Sequence, residues 1–198
     1  MKITVLCGVL AASLLAAEPL SQNDREFEVR YLQTTRDNFL SAVKGLSDSQ
    51  WRFKPAPDVW SVAECAEHIA LSEDSVFQLS QDTLKNSATP EQKKEASGKD
   101  QFVIKVITDR TKKAQAPAFL RPTSRWKTKD ELLAYFEKSR NSHIHYVETT
   151  KDDLRGHFGS DEDVGVIDAY QFLILMSAHS ERHTKQILEV EQNPHFPK

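Results

Sequence analysis

Four stretches of the 198-residue sequence repeat apolar residues at three- and four-residue steps, the spacing of one face of an α-helix. They span residues 23–46, 61–86, 128–156 and 168–192. Glycine is scarce, and the alternation of apolar and polar residues that marks half-buried strands is almost absent. Four long amphipathic helices around one core predict an all-α protein, a four-helix bundle.

Local signals mark where several of these helices begin and end. Ser61 and Glu64 have the spacing of a capping box, and Thr128 and Glu131 repeat it. The fourth helix is expected to stop at Asn193 and the proline that follows it, and Gly156 is expected to end the third. The segment YQFLILM near the start of the fourth helix is apolar on all sides, which predicts a central position.

Between the second and third helices lies a long insertion, residues 87–125, which is irregular and rich in lysine. The segment QFVIKVITDRTKKA within it is apolar enough for a short extra helix, and APAFLRPTSRW reads as an extended return marked by prolines. Nearly forty residues is long for a bundle connection. Segments of this kind often cover sites or bind partners.

The first seventeen residues read as a signal peptide. Lys2 precedes an apolar run over residues 3–15, which is too short to span a membrane, and Ala16 and Ala17 precede polar sequence. We expect cleavage after Ala17, export to the periplasm or the exterior, and a mature domain of residues 18–198. Cys7 leaves a lipoprotein open as an alternative, although Leu6 before it does not fit one. Residues 18–198 contain no other candidate for a stable membrane span.

Composition excludes some classes of function. The formal net charge is −3 at pH 7 with both signs mixed along the chain, which argues against nucleic acid as the main partner. Beyond residue 17 the only cysteine is Cys65, so the domain cannot form an intramolecular disulfide. Packing, with or without a metal ion, must therefore hold the fold together.

Three histidines have the placement that a metal site needs. His179 and His183 are four residues apart on the fourth helix, so both imidazoles face one side, and His68 lies on the inward stripe of the second. Three protein ligands leave a coordination position open, the pattern of catalytic zinc sites. We therefore predict a divalent metal, zinc or nickel, bound by His68, His179 and His183. Hydrogen-bonded core histidines are the structural alternative.

No carboxylate joins this set. In HSERH the spacing of the histidines matches the metalloprotease motif, but Glu181 lies about 200° around the helix from the position a general base needs. Glu64 is expected to cap its helix, and Glu67 to point away from the ion because it directly precedes His68. The catalytic residues therefore stay unknown at this stage.

Other side chains have competing structural readings. His143 could line the pocket or sit at the helix boundary, and Cys65 could approach the ion or be a buried thiol; the structural reading is favoured for both. Trp60 fits a hydrophobic staple before the Ser61 cap. The remaining candidates are expected to be structural or solvated, namely Trp51, His145, His157 and His195.

The segment WRFKPAPDVWSVAECAEHIA, with its Trp-Ser-Val opening and His68, followed by AHSERHTKQI near the C-terminus, resembles the DinB/YfiT-like superfamily. The resemblance covers most of residues 18–198 and is specific at the two histidine segments. It implies an up-down-down-up four-helix bundle whose first crossover is long. It also implies a divalent metal held by one histidine of the second helix and two of the fourth, which here are His68, His179 and His183.

The reaction is less constrained than the fold. The resemblance implies either a metal-dependent hydrolase or a thiol-dependent transferase acting on a small-molecule substrate, and by analogy a homodimer. An exported protein favours water as the nucleophile over a cytoplasmic thiol. The ion-bound hydroxide, Tyr146, His143 or a residue of the insertion could accept the proton. The alternative is a non-catalytic, metal-stabilised binding module in which the ion ties the second and fourth helices together.

Overall fold

The structure is a computed structural model that describes residues 20–113 and 115–198, so the predicted signal peptide, residues 1–17, lies outside the described residues. Four long helices dominate it: α1 (Gln22–Val43), α3 (Val62–Thr83), α6 (Lys129–Thr149) and α7 (Ala169–Glu191). Shorter elements connect them: α2 (Asp48–Trp51), α4 (Pro90–Ala96), α5 (Asp100–Thr108), a 3-10 turn (Ala118–Leu120), β1 (Phe158–Asp161) and β2 (Gly165–Asp168). The predicted all-α four-helix bundle is confirmed.

Side-chain caps fix the starts of the long helices. Ser61 and Glu64 form the predicted capping box, each satisfying a backbone N–H of the other. Thr128 accepts from the backbone of Glu131, but the Glu131 carboxylate accepts from Lys127 N–H instead of closing the box. At α7 the cap is Asp168, a residue already placed at the start of that helix.

Contacts between helices give the direction of each one. Hydrogen bonds from α7 to α1 advance along both helices together, from Tyr170 with Asp24 to Ser177 with Glu28, so these two helices are parallel. Contacts of α3 with α6 also advance together, from Asp74 with Tyr135 to Phe77 with Tyr146, which makes them parallel as well.

The other two neighbouring pairs run in opposite directions. Ser80 near the end of α3 donates to the carbonyl of Ala169 at the start of α7, at 2.7 Å. Arg25 near the start of α1 donates to the carbonyl of Val147 near the end of α6. Two parallel and two antiparallel neighbours make the bundle up-down-down-up.

This topology explains why the chain needs a crossover between α3 and α6. Since α3 and α6 are consecutive and parallel, the chain must return along the bundle between them. The return runs along α3, whose 22 residues span about 33 Å at about 1.5 Å per residue. Residues 87–125 make this crossover, and its helix α5 packs against α7. Because α1, α3 and α5 cover it, α7 is buried at every residue from Ala169 to Ala178.

Two features differ from the sequence prediction. The third helix ends at Thr149 rather than at Gly156, because Thr150 and Asp152 exchange side-chain and backbone hydrogen bonds in a turn that competes with the helix. An antiparallel hairpin, β1–β2, then leads into α7, with Phe158 paired to Asp168. Gly165 begins β2 at φ +75°, a conformation that favours glycine.

A buried polar layer crosses the core of the bundle. Arg140 and Glu73 are fully buried and form a bidentate ion pair with both distances at 2.6 Å. Arg140 also donates to Thr35 Oγ1, to the carbonyl of Leu32 and to Ser180 Oγ, so its guanidinium links α6 to the other three long helices.

Among the described residues, no helix is long and apolar enough to cross a membrane.

Candidate metal centre

The three predicted histidines come together where α3 and α7 cross in opposite directions. One potential ligand atom from each of His68, His179 and His183 lies within 4.8 Å of the other two. Nε2 of His68 is 3.1 Å from Nε2 of His179. Two nitrogens bound to one tetrahedral zinc at 2.0–2.1 Å are about 3.3 Å apart, so this pair already has the separation of shared ligands.

Hydrogen bonds at the far side of two rings set their tautomers. Nδ1 of His68 donates to the carbonyl of Leu120 at 2.8 Å, because a carbonyl can only accept. Nδ1 of His183 lies 2.9 Å from Gln186 Oε1, which also accepts from Arg110 at 3.3 Å. The Arg110 contact requires an oxygen at that position, so Nδ1 of His183 carries the proton. In both rings Nε2 therefore carries no proton, and its lone pair is available to bind a metal ion.

Burial keeps the cluster uncharged. Desolvation, and to a smaller extent the nearby His68, lowers the pKa of His179 to about 3. Desolvation and the two neighbouring imidazoles hold the pKa of His183 well below its ordinary 6.5. Burial also lowers the pKa of His68, although the Leu120 carbonyl acts in the opposite direction. Three neutral imidazoles at neutral pH are the form in which histidine binds metal.

This donor set fits a divalent transition metal. Imidazole nitrogen suits zinc, nickel and copper, and a set of three leaves at least one coordination position for a small molecule. Within the described ranges the cluster includes no carboxylate or thiolate. An ion there would keep its full positive charge, since all three ligands are neutral.

Trp60 contributes a wall that the sequence interpretation did not assign to the site. Its ring centroid lies 4.9 Å from that of His68 and 6.1 Å from that of His183. The position before the Ser61 cap suggested only a hydrophobic staple. Nothing in the local sequence distinguishes a staple from a residue that also lines a site about two turns further along.

The crossover forms the other side of the centre. Leu120 contacts His68 through its carbonyl, and its neighbour Phe119 is 72% exposed, an unusually open position for a large apolar side chain. Arg182, which lies between the two histidines of α7, donates to carbonyls of the crossover. The expectation that this long segment would cover a site agrees with these contacts.

Several carboxylates and the thiol are directed away from the cluster, as the sequence predicts. Glu181 accepts from Tyr31 at 2.8 Å and pairs with Lys185. Glu64 caps α3 and pairs with Lys54. Cys65 is a buried thiol in the apolar core, and desolvation raises its pKa to about 12.

The remaining candidates make contacts elsewhere. Nδ1 of His143 lies 2.9 Å from Glu73, and its ring stacks on Phe77, so it belongs to the buried polar layer. The hydroxyl of Tyr146 donates to Asp152 at 2.7 Å, which occupies the group that could have served as a base. Three further histidines have solvent or loop surroundings: His145, His157 and His195.

Comparisons with known proteins agree with this fold. The sequence model of the DinB superfamily matches residues 31–187. The protein YuaE of Bacillus subtilis strain 168, whose function is uncharacterized, is 19% identical over 150 residues, covering 76% of this chain and 88% of YuaE.

A solved structure has the same overall fold. It is YfiT from Bacillus subtilis, described as a probable metal-dependent hydrolase with an unusual four-helix bundle topology. It superposes with a TM-score of 0.60 at 15% identity, covering 91% of this chain and 93% of YfiT. At this identity the likeness establishes the fold alone.

Proposed function

The chain belongs to the DinB superfamily, and from this premise we propose that it is a divalent-metal-dependent hydrolase whose ion is held by His68, His179 and His183. The observation that carries the proposal is the convergence of three neutral imidazoles, with ligand atoms within 4.8 Å of one another. The description of YfiT as a probable metal-dependent hydrolase supports the reaction class. Zinc or nickel is the ion we propose.

The chemistry is that of an open three-nitrogen site. A divalent ion with three neutral ligands lowers the pKa of a water molecule toward about 7 and polarises a carbonyl or phosphoryl oxygen. The protein contributes the fixed orientation of His68 and His183 through Leu120 and Gln186. Trp60 supplies an apolar wall that excludes bulk water from one side.

The substrate is proposed to be a small molecule with an apolar portion. The aromatic ring of Trp60 lies beside His68 and His183, which would hold the ion, and Phe119 presents an exposed ring on the crossover next to Leu120. Transfer to a low-molecular-weight thiol is the runner-up reaction at the same site. Export, if residues 1–17 are a signal peptide, favours water over a cytoplasmic thiol.

One observation favours a non-catalytic binding module as a second candidate. Within the described residues the cluster has no carboxylate, and the side chains considered as bases, His143 and Tyr146, are bonded to Glu73 and Asp152. In that case the ion would only tie α3 to α7. Chelation would then unfold the protein rather than leave a folded apoprotein.

The test starts with metal analysis of purified residues 18–198. We expect close to one divalent ion per chain, lost in His179→Ala and retained in Glu181→Ala, which alters the same helix two residues away. Esters, amides and thiol-plus-electrophile pairs are then screened with both variants. Activity that survives complete metal removal, or that depends on Glu181 as much as on His179, would contradict the proposal.

A further inference from the structure

The crossover is attached to α3 by two consecutive residues. His68 donates from Nδ1 to the carbonyl of Leu120, and the carboxylate of Glu67 binds the backbone two residues beyond Pro122. Glu67 is 6% exposed, so this carboxylate is almost fully shielded from water. Sequence reasoning gives Glu67 no role beyond pointing away from the ion.

The carboxylate of Glu67 is held by three successive backbone N–H groups. They belong to Thr123 at 2.9 Å, Ser124 at 3.0 Å and Arg125 at 3.0 Å. Consecutive N–H groups that converge on one anion form a nest, which requires a residue in the left-handed region. Ser124 occupies that region with φ 60°.

The backbone conformation at Ser124 shows that the anion organises the loop. A residue with a side chain adopts the left-handed conformation only at a cost in free energy. Hydrogen bonds to a charged group are about twice as strong as neutral ones, and here three of them meet one buried carboxylate. Without the negative charge of Glu67, the loop would lose the hydrogen bonds that offset the cost of this conformation.

A short, stiff segment connects the nest to the residue that contacts His68. Only Arg121 and Pro122 separate Leu120 from Thr123, and proline fixes its own φ at about −65°. On the other side, Leu120 ends a 3-10 turn closed by its N–H to the carbonyl of Pro117 at 3.0 Å. The Leu120 carbonyl that contacts His68 is therefore tied closely to the backbone of residues 123–125.

We propose that Glu67 is a positioning residue of the metal centre: by holding the 123–125 nest, it keeps the Leu120 carbonyl on His68 Nδ1 and directs His68 Nε2 toward His179 and His183. The inference rests on the proposed function of these histidines as ligands. It makes the crossover a structural part of the site rather than only a cover.

The principal variant is Glu67→Gln. It keeps the size of the side chain but removes the charge and sets an NH₂ group against a backbone N–H of the nest. Mutation of a residue that supports a metal ligand through hydrogen bonds typically lowers metal affinity by about 10–100-fold. We expect Glu67→Gln to weaken cobalt(II) binding, followed by its visible absorption, by at least about tenfold.

Two further variants separate positioning from general stability. Glu64→Gln lies one turn earlier on α3, where glutamine still closes the capping box, and we expect its cobalt affinity to stay within about twofold of the wild type. Ser124→Val leaves Glu67 intact and lies on the surface, but β-branched residues avoid positive φ. We expect Ser124→Val to weaken cobalt binding as well.

Measurements on the metal-free protein provide a readout independent of loading. In the wild type, nitrogen NMR of the imidazoles is expected to show His68 as a single Nδ1–H tautomer, and the amides of residues 123–125 to be protected from exchange. In Glu67→Gln we expect both tautomers of His68 and rapid exchange of those amides. Circular dichroism and thermal melting check that each variant is folded.

The outcomes distinguish this inference from the function on which it rests. If the wild type binds no cobalt at the three histidines, the proposed function fails, and the tautomer of His68 still tests Glu67. If the wild type binds cobalt and folded Glu67→Gln binds it equally well with a single His68 tautomer, the positioning role is overturned.

Discussion

Removing Arg140 tests the buried polar layer that crosses the core. Arg140 and Glu73 have side chains with no exposed surface, and Arg140 donates five hydrogen bonds. In Arg140→Met, Glu73 keeps the N–H of His143 but loses the guanidinium with which it is paired. Breaking a buried pair from one side destabilises by about 3–5 kcal/mol. Since domains are stable by about 5–15 kcal/mol, this loss is a large fraction of the total.

The pH dependence of that loss has a defined sign. Burial acts to raise the pKa of Glu73, but the charge and hydrogen bonds of Arg140 hold it below the ordinary 4.5. In the wild type this carboxylate therefore contributes stability above pH 4.5, which is lost as the pH falls through the lowered pKa. In Arg140→Met only burial and His143 remain, so the pKa of Glu73 rises, and the difference between variant and wild type grows from pH 4 to pH 7.

The assay is urea unfolding at pH 4 and pH 7, with two controls. The double variant Glu73→Gln/Arg140→Met removes the uncompensated charge and is expected to recover most of the lost stability. Lys54→Met breaks the partly exposed pair with Glu64 and is expected to cost less than about 1 kcal/mol. An Arg140→Met variant destabilised by less than about 1 kcal/mol, or a double variant no more stable than the single, would refute the reasoning.

Three further predictions concern other parts of the chain. Desolvation raises the pKa of Glu28 to about 8 from 4.5, so the folded protein retains a proton that the unfolded chain releases, and stability falls as the pH rises across that window. Glu28→Gln is therefore expected to be more stable than the wild type at pH 8 but not at pH 4, in urea unfolding; a difference independent of pH would exclude this. Gln186→Leu removes the acceptor of His183 Nδ1 and is expected to weaken cobalt(II) binding, followed by visible absorption, about tenfold. Unchanged affinity would show that this hydrogen bond does not orient the ring. Exported protein is expected to begin at Glu18 on N-terminal sequencing, and a start at Met1 would contradict the signal peptide.

The helices and their caps could be predicted because both depend on residues close together in the sequence. The Ser61–Glu64 box is complete within four residues, and the apolar period of each helix is visible within two turns. The β1–β2 hairpin was missed because each strand has only four residues and its pairing carries little apolar alternation. The end of α6 was misplaced because the turn at Thr150 and Asp152 stops the helix before any glycine does.

The candidate site divides in the same way. The i,i+4 spacing of His179 and His183 places two imidazoles on one face, which is local information. The partners of the rings are not local: a backbone carbonyl holds His68 and backbone N–H groups hold Glu67. Since every residue but proline carries both groups, no residue type marks such a partner, and only the folded chain reveals it.

Topology and site geometry have a common origin in this bundle. Because α3 and α7 are antiparallel, His68 in the first half of α3 lies opposite the later part of α7, where His179 and His183 are found. Because α3 and α6 are parallel, the chain must return toward the start of α3 before α6 can begin. That return brings Leu120 onto His68 and residues 123–125 onto Glu67. About ten extended residues would cover the length of α3, so the crossover is longer than the return alone demands. The additional length forms α4, α5 and the 3-10 turn, whose Leu120 supplies the carbonyl for Nδ1 of His68. The return of the chain is therefore a requirement of the fold, and the three-histidine centre uses the last part of it as outer support.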